Sequence, residues 1–188
     1  MGTPRAVRAA DAAIEVIADE GLRGLTHRAV DARAGLPPGS ASSCYRTRSA
    51  LLGAVLERIV ELDEAALDRL QPVPGGAPDD AVAALADLLE YWLGPARQRT
   101  RARLELYLDA ARRPELRPHL ERASLRFLHR ARAGLNDAGV PDPERAARLL
   151  VAQLDGVLYE ALARPFYGPA DRAWLVRAAE AAVATLLR

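Results

Sequence analysis

The stretch AGLPPGSASSCYRTR, residues 34–48, has the composition of a tether. Two prolines, two glycines and three serines fall between Gly35 and Ser43, which ordinarily marks a turn or an unstructured linker. Its position argues otherwise, because segments with apolar residues at helical spacing stand on both sides. Before it, AVRAADAAIEVIADEG sets Val7, Ala10, Ile14 and Ile17 on one stripe and reaches a C-cap at Gly21. THRAVDARAG follows, with Thr26 as N-cap, a short helix to Ala34, and Gly35 suited to a left-handed turn. After it, RSALLGAVLERIVELDEAALDRL carries Leu52, Val55, Leu56, Ile59, Leu62 and Leu67 on a broad apolar face, a helix over 48–70.

Residues 34–48 therefore admit two readings. One is a surface loop carrying ordinary solvated arginines. The other pairs a short helix Thr26–Ala34 with a second over Pro38–Tyr45, joined at Gly35-Leu36-Pro37, which makes a helix-turn-helix. Ala34 is small enough for a close crossing, Leu36 can plug the core, and Pro38 falls where a first helical turn tolerates a missing N–H. The serines then become small polar groups on an exposed helix, suited to phosphate oxygens or base edges, with Arg28, Arg46 and Arg48 around them.

Composition bounds the function. The net charge of +1 argues against a generally adhesive nucleic-acid binder. Residues 1–52 hold seven arginines against five acids, a slight basic excess. No apolar run is long enough to span a bilayer, and the N-terminus alternates charge with alanine, so no membrane partner and a cytoplasmic location are expected. The single cysteine, Cys44, excludes an internal disulfide, and His27, His119 and His129 have no metal-ligand spacing. No nucleophile has a neighbouring base in an evident motif, and there is no phosphate-binding glycine loop. Neither an enzyme nor a cofactor or metal is expected.

Residues 13–58 resemble the DNA-binding domain of the tetracycline-repressor (TetR) family of transcriptional regulators. The resemblance is gap-free and is carried by Gly21, Leu25, Thr26, Arg28, Val30, Ala34, Gly35, Leu36, Gly39, Ser40, Ala41, Tyr45, Arg48 and Ala50-Leu51-Leu52. It implies that Thr26 and Arg48 contact phosphate and that Arg28 reads a guanine. It also implies that Pro38, Gly39, Ser40, Ser42 and Ser43 form the groove-facing part of a recognition helix, with His27 and Arg46 beside it. The chain departs from the family at Ser42, Ser43 and Cys44, where Tyr, a variable residue and His are usual. Either affinity per half-site is then lower, or specificity rests more on Arg28 and His27. Tyr45 takes a core position, and Cys44 is a small side chain near the groove or, less simply, a redox-sensitive thiol.

Beyond residue 52 the chain carries no signature. QPVPGGAPDD, residues 71–80, is its one convincing linker, and helices are expected from Asp79 or Asp80 to Gly94, over 97–112, from Pro114 to Gly139, over 144–164 and over 170–187. The fold expected is all-α, about nine helices, with a helix-turn-helix domain over 1–52 and a regulatory and dimerisation domain over 53–188. The resemblance implies a homodimer, built from Leu150, Leu154, Val157 and Leu158 on one helix and Val176, Ala179, Val183 and Leu187 on the next. Two-fold symmetry makes the DNA partner an inverted repeat. An unidentified small-molecule effector would be lined by Tyr91, Trp92, Tyr107, Phe127 and Tyr159, with Glu105, Gln153 and Asp155 as polar anchors. The arginines of RQRTRAR, residues 97–103, are read as a solvated face, the alternative being an anion-facing patch for a carboxylate-bearing ligand or for DNA. The Ser42–Ser43 departure keeps one rival open, a divergent helical protein-interaction module without sequence-specific DNA binding.

Overall fold

Helix starts follow from side-chain caps. In the computed structural model, which describes residues 3–68 and 78–186, Thr3 accepts from the Ala6 amide at 3.3 Å and Pro4 opens α1 (Pro4–Gly24). Thr26 accepts from the Ala29 amide at 3.0 Å and starts α2 (His27–Ala34). Thr47 does the same for Ala50 at the start of α4 (Arg48–Leu67), again at 3.0 Å. Gly21 interrupts α1 at φ 70°, a conformation that side-chain-bearing residues rarely take. Gly35 closes α2 in the left-handed region, its N–H reaching Ala32 O while the Leu36 N–H reaches Asp31 O.

Further along come α5 (Pro78–Leu93), α6 (Arg97–Ala110), α7 (Arg117–Asp137), α8 (Pro143–Ala163) and α9 (Arg172–Leu186). Gly94 and Pro95 separate α5 from α6 as expected. Short 3-10 turns at Pro114–Leu116 and Pro165–Tyr167 precede α7 and follow α8. Among the described residues the fold is all-helical, nine α-helices with no strand. Residues 71–77 of the expected linker lie outside the described residues, while 78–80 are already helical, with Asp79 and Asp80 favourably in the first turn of α5.

The packing forms two compact units. The first comprises the chain through Asp63 together with Gln98–Ser124; the second comprises Glu64–Arg97 together with the chain from Leu125. The core of the first is Ile14, Ile17, Leu25, Val30, Leu51, Leu52, Leu56 and Ile59, closed by Leu106 and Leu116. The core of the second is Leu88, Leu89, Trp92, Leu135, Leu150, Leu154, Leu158 and Leu175. Packing thus groups α6 and the start of α7 with the first four helices, across the division expected at residues 52 and 53.

The arginine run of α6 is not a uniform solvated face. Asp63 of α4, 0% exposed, takes the Arg99 side chain at 2.7 and 2.8 Å and Arg103 Nη1 at 3.3 Å, and Arg103 is itself buried. Arg101 and Arg97 stay exposed, so only half of the run is solvated.

Candidate nucleic-acid interface

Helix α3 (Ser40–Cys44) is five residues long, too short to hold its own conformation in water. Three side chains fix it in place. At its N-terminal end, the buried Asp31 carboxylate, projecting from α2, accepts from Gly39 N at 2.8 Å and Ala41 N at 2.7 Å. At its C-terminal end, His27 Nε2 lies 2.6 Å from Tyr45 O, and the Tyr45 hydroxyl donates to Ala6 O of α1 at 2.9 Å. Burial pushes the Tyr45 phenol above its ordinary pKa, so it remains a donor. Arg8 adds a fourth tie, donating to Ala34 O at 2.7 Å at the end of α2.

Several expected side chains occupy other places. The helix expected from Pro38 starts at Ser40, because Gly39 takes φ 88° and cannot continue a helix; Pro38 lies in the preceding turn, closed by Ser40 N to Pro37 O at 3.1 Å. Ser40 is buried rather than groove-facing. His27 is half-buried and engaged with Tyr45. Arg48 is half-buried too, and its two terminal nitrogens donate to Leu22 O and Leu25 O, the carbonyls at the end of α1. It is a C-terminal clamp on α1 before it is anything else.

What stays exposed forms a narrower set. Thr26, Arg28, Pro38, Gly39, Ser42, Ser43 and Arg46 are all open to solvent. Ser42 Oγ donates to Gly39 O at 3.0 Å and Ser43 Oγ to Ser40 O at 2.7 Å, which leaves their lone pairs outward. Arg33 does not join them. Asp19, Glu20 and Glu15 hold it at 2.8, 3.2 and 3.6 Å, and the hydrogen bond to Asp19, with its charge, raises its pKa. A shallow polar surface with two free-standing arginines and small residues between them can approach a groove closely and donate to phosphate or guanine.

Residues 76–188 match the family described as "Tetracyclin repressor-like, C-terminal domain". The chain belongs to the TetR family of transcriptional regulators. A TetR-family member from Streptomyces coelicolor A3 superimposes with a TM-score of 0.75 at 30% identity, covering 96% of this chain and 98% of that one. The multidrug binding protein EbrR complexed with ethidium gives 0.73 at 32% identity, covering 97% and 99%. A transcriptional regulator from Rhodococcus sp. Rha1 gives 0.81 at 25% identity, covering 98% and 96%. No curated protein matches the chain.

The remaining expected site residues of this TetR-family chain divide between the two units. Glu105 and Tyr107 belong to the first; Tyr91, Trp92, Phe127, Gln153, Asp155 and Tyr159 belong to the second. Trp92 is buried in the second core, and Tyr159 is exposed. Of the expected dimer residues, Leu150, Leu154, Leu158, Ala179 and Val183 face inward and are buried within the protomer, Val157 and Val176 are half-buried, and Leu187 lies outside the described residues. The helices α8 and α9 are apolar on more than one face, and Leu150, Leu154, Leu158 and Leu175 serve the protomer's own core. The face they leave open is a groove of about 300 Å³ lined by Gln153, Gly156, Val157, Glu160, Ala178, Ala181 and Ala182.

Sequence reasoning missed Asp31, Arg8 and the hydroxyl of Tyr45. Asp31 carried a signal: it is an acid beside the core residue Val30, one turn before the glycine that ends its helix.

Proposed function

We propose that the protein is a cytoplasmic repressor that binds an inverted repeat as a homodimer and is released by a small molecule. The observation that carries this reading is the helix-turn-helix of α2 and α3, locked at both ends of α3 and presenting Thr26, Arg28, Ser42, Ser43 and Arg46 to solvent. Residues 1–52 are the reading part and the rest regulate and dimerise. In this reading Thr26 and Arg46 hold phosphate, Arg28 reads a base, and Pro38 and Gly39 let the backbone approach closely. Arg48 and His27 support the reading surface from behind, and Ser40 belongs to its core side.

Dimerisation is assigned to the open α8–α9 groove. The Gln153 side-chain oxygen there is buried without a hydrogen-bond partner among the described residues, and small residues at 156, 178 and 181 allow close helix approach. The effector is proposed to be a flat aromatic cation. EbrR relatives at 32% and 30% identity are complexed with ethidium and proflavin, and Tyr91, Trp92, Phe127 and Asp155 of the second unit are the residues assigned to such a ligand in this reading.

The test is to incubate the protein with randomised duplex DNA at moderate salt and sequence what is retained. An inverted repeat with half-sites about one helical turn apart, or a multiple of it, supports the dimeric reader. Arg28→Ala is then expected to cost about 1–3 kcal/mol and to relax one base position. No enrichment over bulk DNA overturns the reading in favour of a protein-interaction module.

A further inference from the structure

We propose that Asp31, buried and out of reach of the groove, is the positioning residue that gives the reading helix its sequence specificity. The inference rests on the DNA-reading assignment above and goes on to name what sets that surface.

One residue stitches the whole turn. The Asp31 backbone carbonyl accepts from Leu36 N at 2.9 Å and so closes α2. Its side chain then crosses the turn, Oδ2 to Gly39 N and Oδ1 to Ala41 N, and opens α3. The first amides of a helix have no partner inside it, and α3 supplies none from its own N-cap, since Gly39 has no side chain. Asp31 is 5% exposed, so water cannot readily stand in for it. Ser43 N reaches Gly39 O at 3.0 Å and Tyr45 N reaches Ala41 O at 2.8 Å, one turn of backbone bonding at most. The orientation of α3 relative to α2 is therefore held at its leading end by one carboxylate.

That orientation decides where Ser42 and Ser43 meet a base edge, whereas Thr26 and Arg28 sit on or before α2 and keep their places without it. Loss of Asp31 should consequently remove the share of discrimination that α3 reads, while leaving the base contact of Arg28 and the non-specific affinity, which comes from charge, largely intact.

The experiment uses the full chain with Asp31→Asn and Asp31→Ala. The asparagine keeps the shape and one acceptor but turns an NH2 donor toward an amide that needs an acceptor. Affinities are measured for the selected inverted repeat and for a scrambled duplex over a salt series. Circular dichroism and sedimentation report the fold and assembly, and hydrogen exchange reports the Gly39 and Ala41 amides. Expected are at least about tenfold weaker binding to the repeat, unchanged binding and salt slope on scrambled DNA, wild-type helicity and assembly, and faster exchange at those two amides. Wild-type preference for the repeat in Asp31→Asn overturns the inference while the DNA-reading assignment stands. Equal losses on both duplexes, tracking a fall in helicity, also overturn it, since Asp31 would then be a general stability residue. A wild-type protein that selects no repeat overturns the assignment and the inference with it.

Discussion

Replacing Asp63 tests the least expected element of the first unit. Its carboxylate is fully buried on α4, with one oxygen facing Arg99 at 2.7 and 2.8 Å and the other facing Arg103 at 3.3 Å on α6. Asp63→Asn keeps the volume but removes the charge that offsets two guanidinium groups, of which Arg103 is 3% exposed. Breaking a buried ion pair by removing one partner costs about 3–5 kcal/mol, because the other charge stays buried. At about 2–4 °C per kcal/mol for a chain of this size, the Tm should fall by roughly 10 °C. Arg99→Lys should cost less, since the charge remains and only the planar fork is lost. Thermal denaturation by circular dichroism at fixed protein concentration reads both. A shift for Asp63→Asn below about 2 °C would refute the reasoning, because it would mean that the Asp63 charge contributes little to holding α4 and α6 together.

Three further outcomes are expected. Gly53→Ala should lower stability by about 1–3 kcal/mol in a denaturant titration, because the new Cβ would lie 2.5 Å from the His119 ring, which Arg122 contacts at 2.9 Å; an unchanged midpoint refutes it. Tyr45→Phe loses the hydroxyl bond to Ala6 O and should cost about 0.5–1.5 kcal/mol. The raised phenol pKa means that the unfolded chain ionises first, so the Tyr45 contribution is intact below about pH 10 and is lost as pH rises through the folded value; the wild-type advantage over Tyr45→Phe should shrink only there. Gly156→Leu should leave the protomer folded, since nothing lies within 4 Å of an added Cβ, yet fill the open α8–α9 groove. Sedimentation at micromolar concentration should show more monomer, and wild-type assembly would count against that face as the dimer contact.

Much of the helical layout is written in local chemistry. Thr26 and Gly35 bound α2 as their side chain and missing side chain dictate, and Gly94-Pro95 stops α5. Local chemistry also fails in identifiable ways. A five-residue α3 spans little more than one turn, too short for periodicity to say which serine faces inward, so Ser40 and Ser42 look alike until Ala41 and Ser40 are packed. The charge run of α6 reads as solvated because its acid, Asp63, is remote in sequence. Arg48 looks like a phosphate ligand because nothing in the local sequence shows that the α1 carbonyls end beside it. On α8 and α9, two apolar faces compete for one core, and only volume decides. Leu150, Leu154, Leu158 and Leu175 go inward, Leu149 stays exposed, and Gly156, Ala178 and Ala181 line the open groove.

The same geometry bears on how the proposed release by a ligand would work. Helix α3 owes its place to α1 through Tyr45 and to α2 through Asp31 and His27, and α1 is packed in one core with Leu106 of α6 and Leu116. Packed cores change between discrete arrangements rather than deforming smoothly. An effector that shifts α6 therefore has to repack Ile14, Ile17 and Leu56 or leave the reading helix alone. In a dimer spanning two half-sites, a small rotation of that core displaces both α3 helices in opposite senses, so the spacing between them is the quantity a ligand would control. A ligand that binds both spacings equally would release nothing, however tightly it binds.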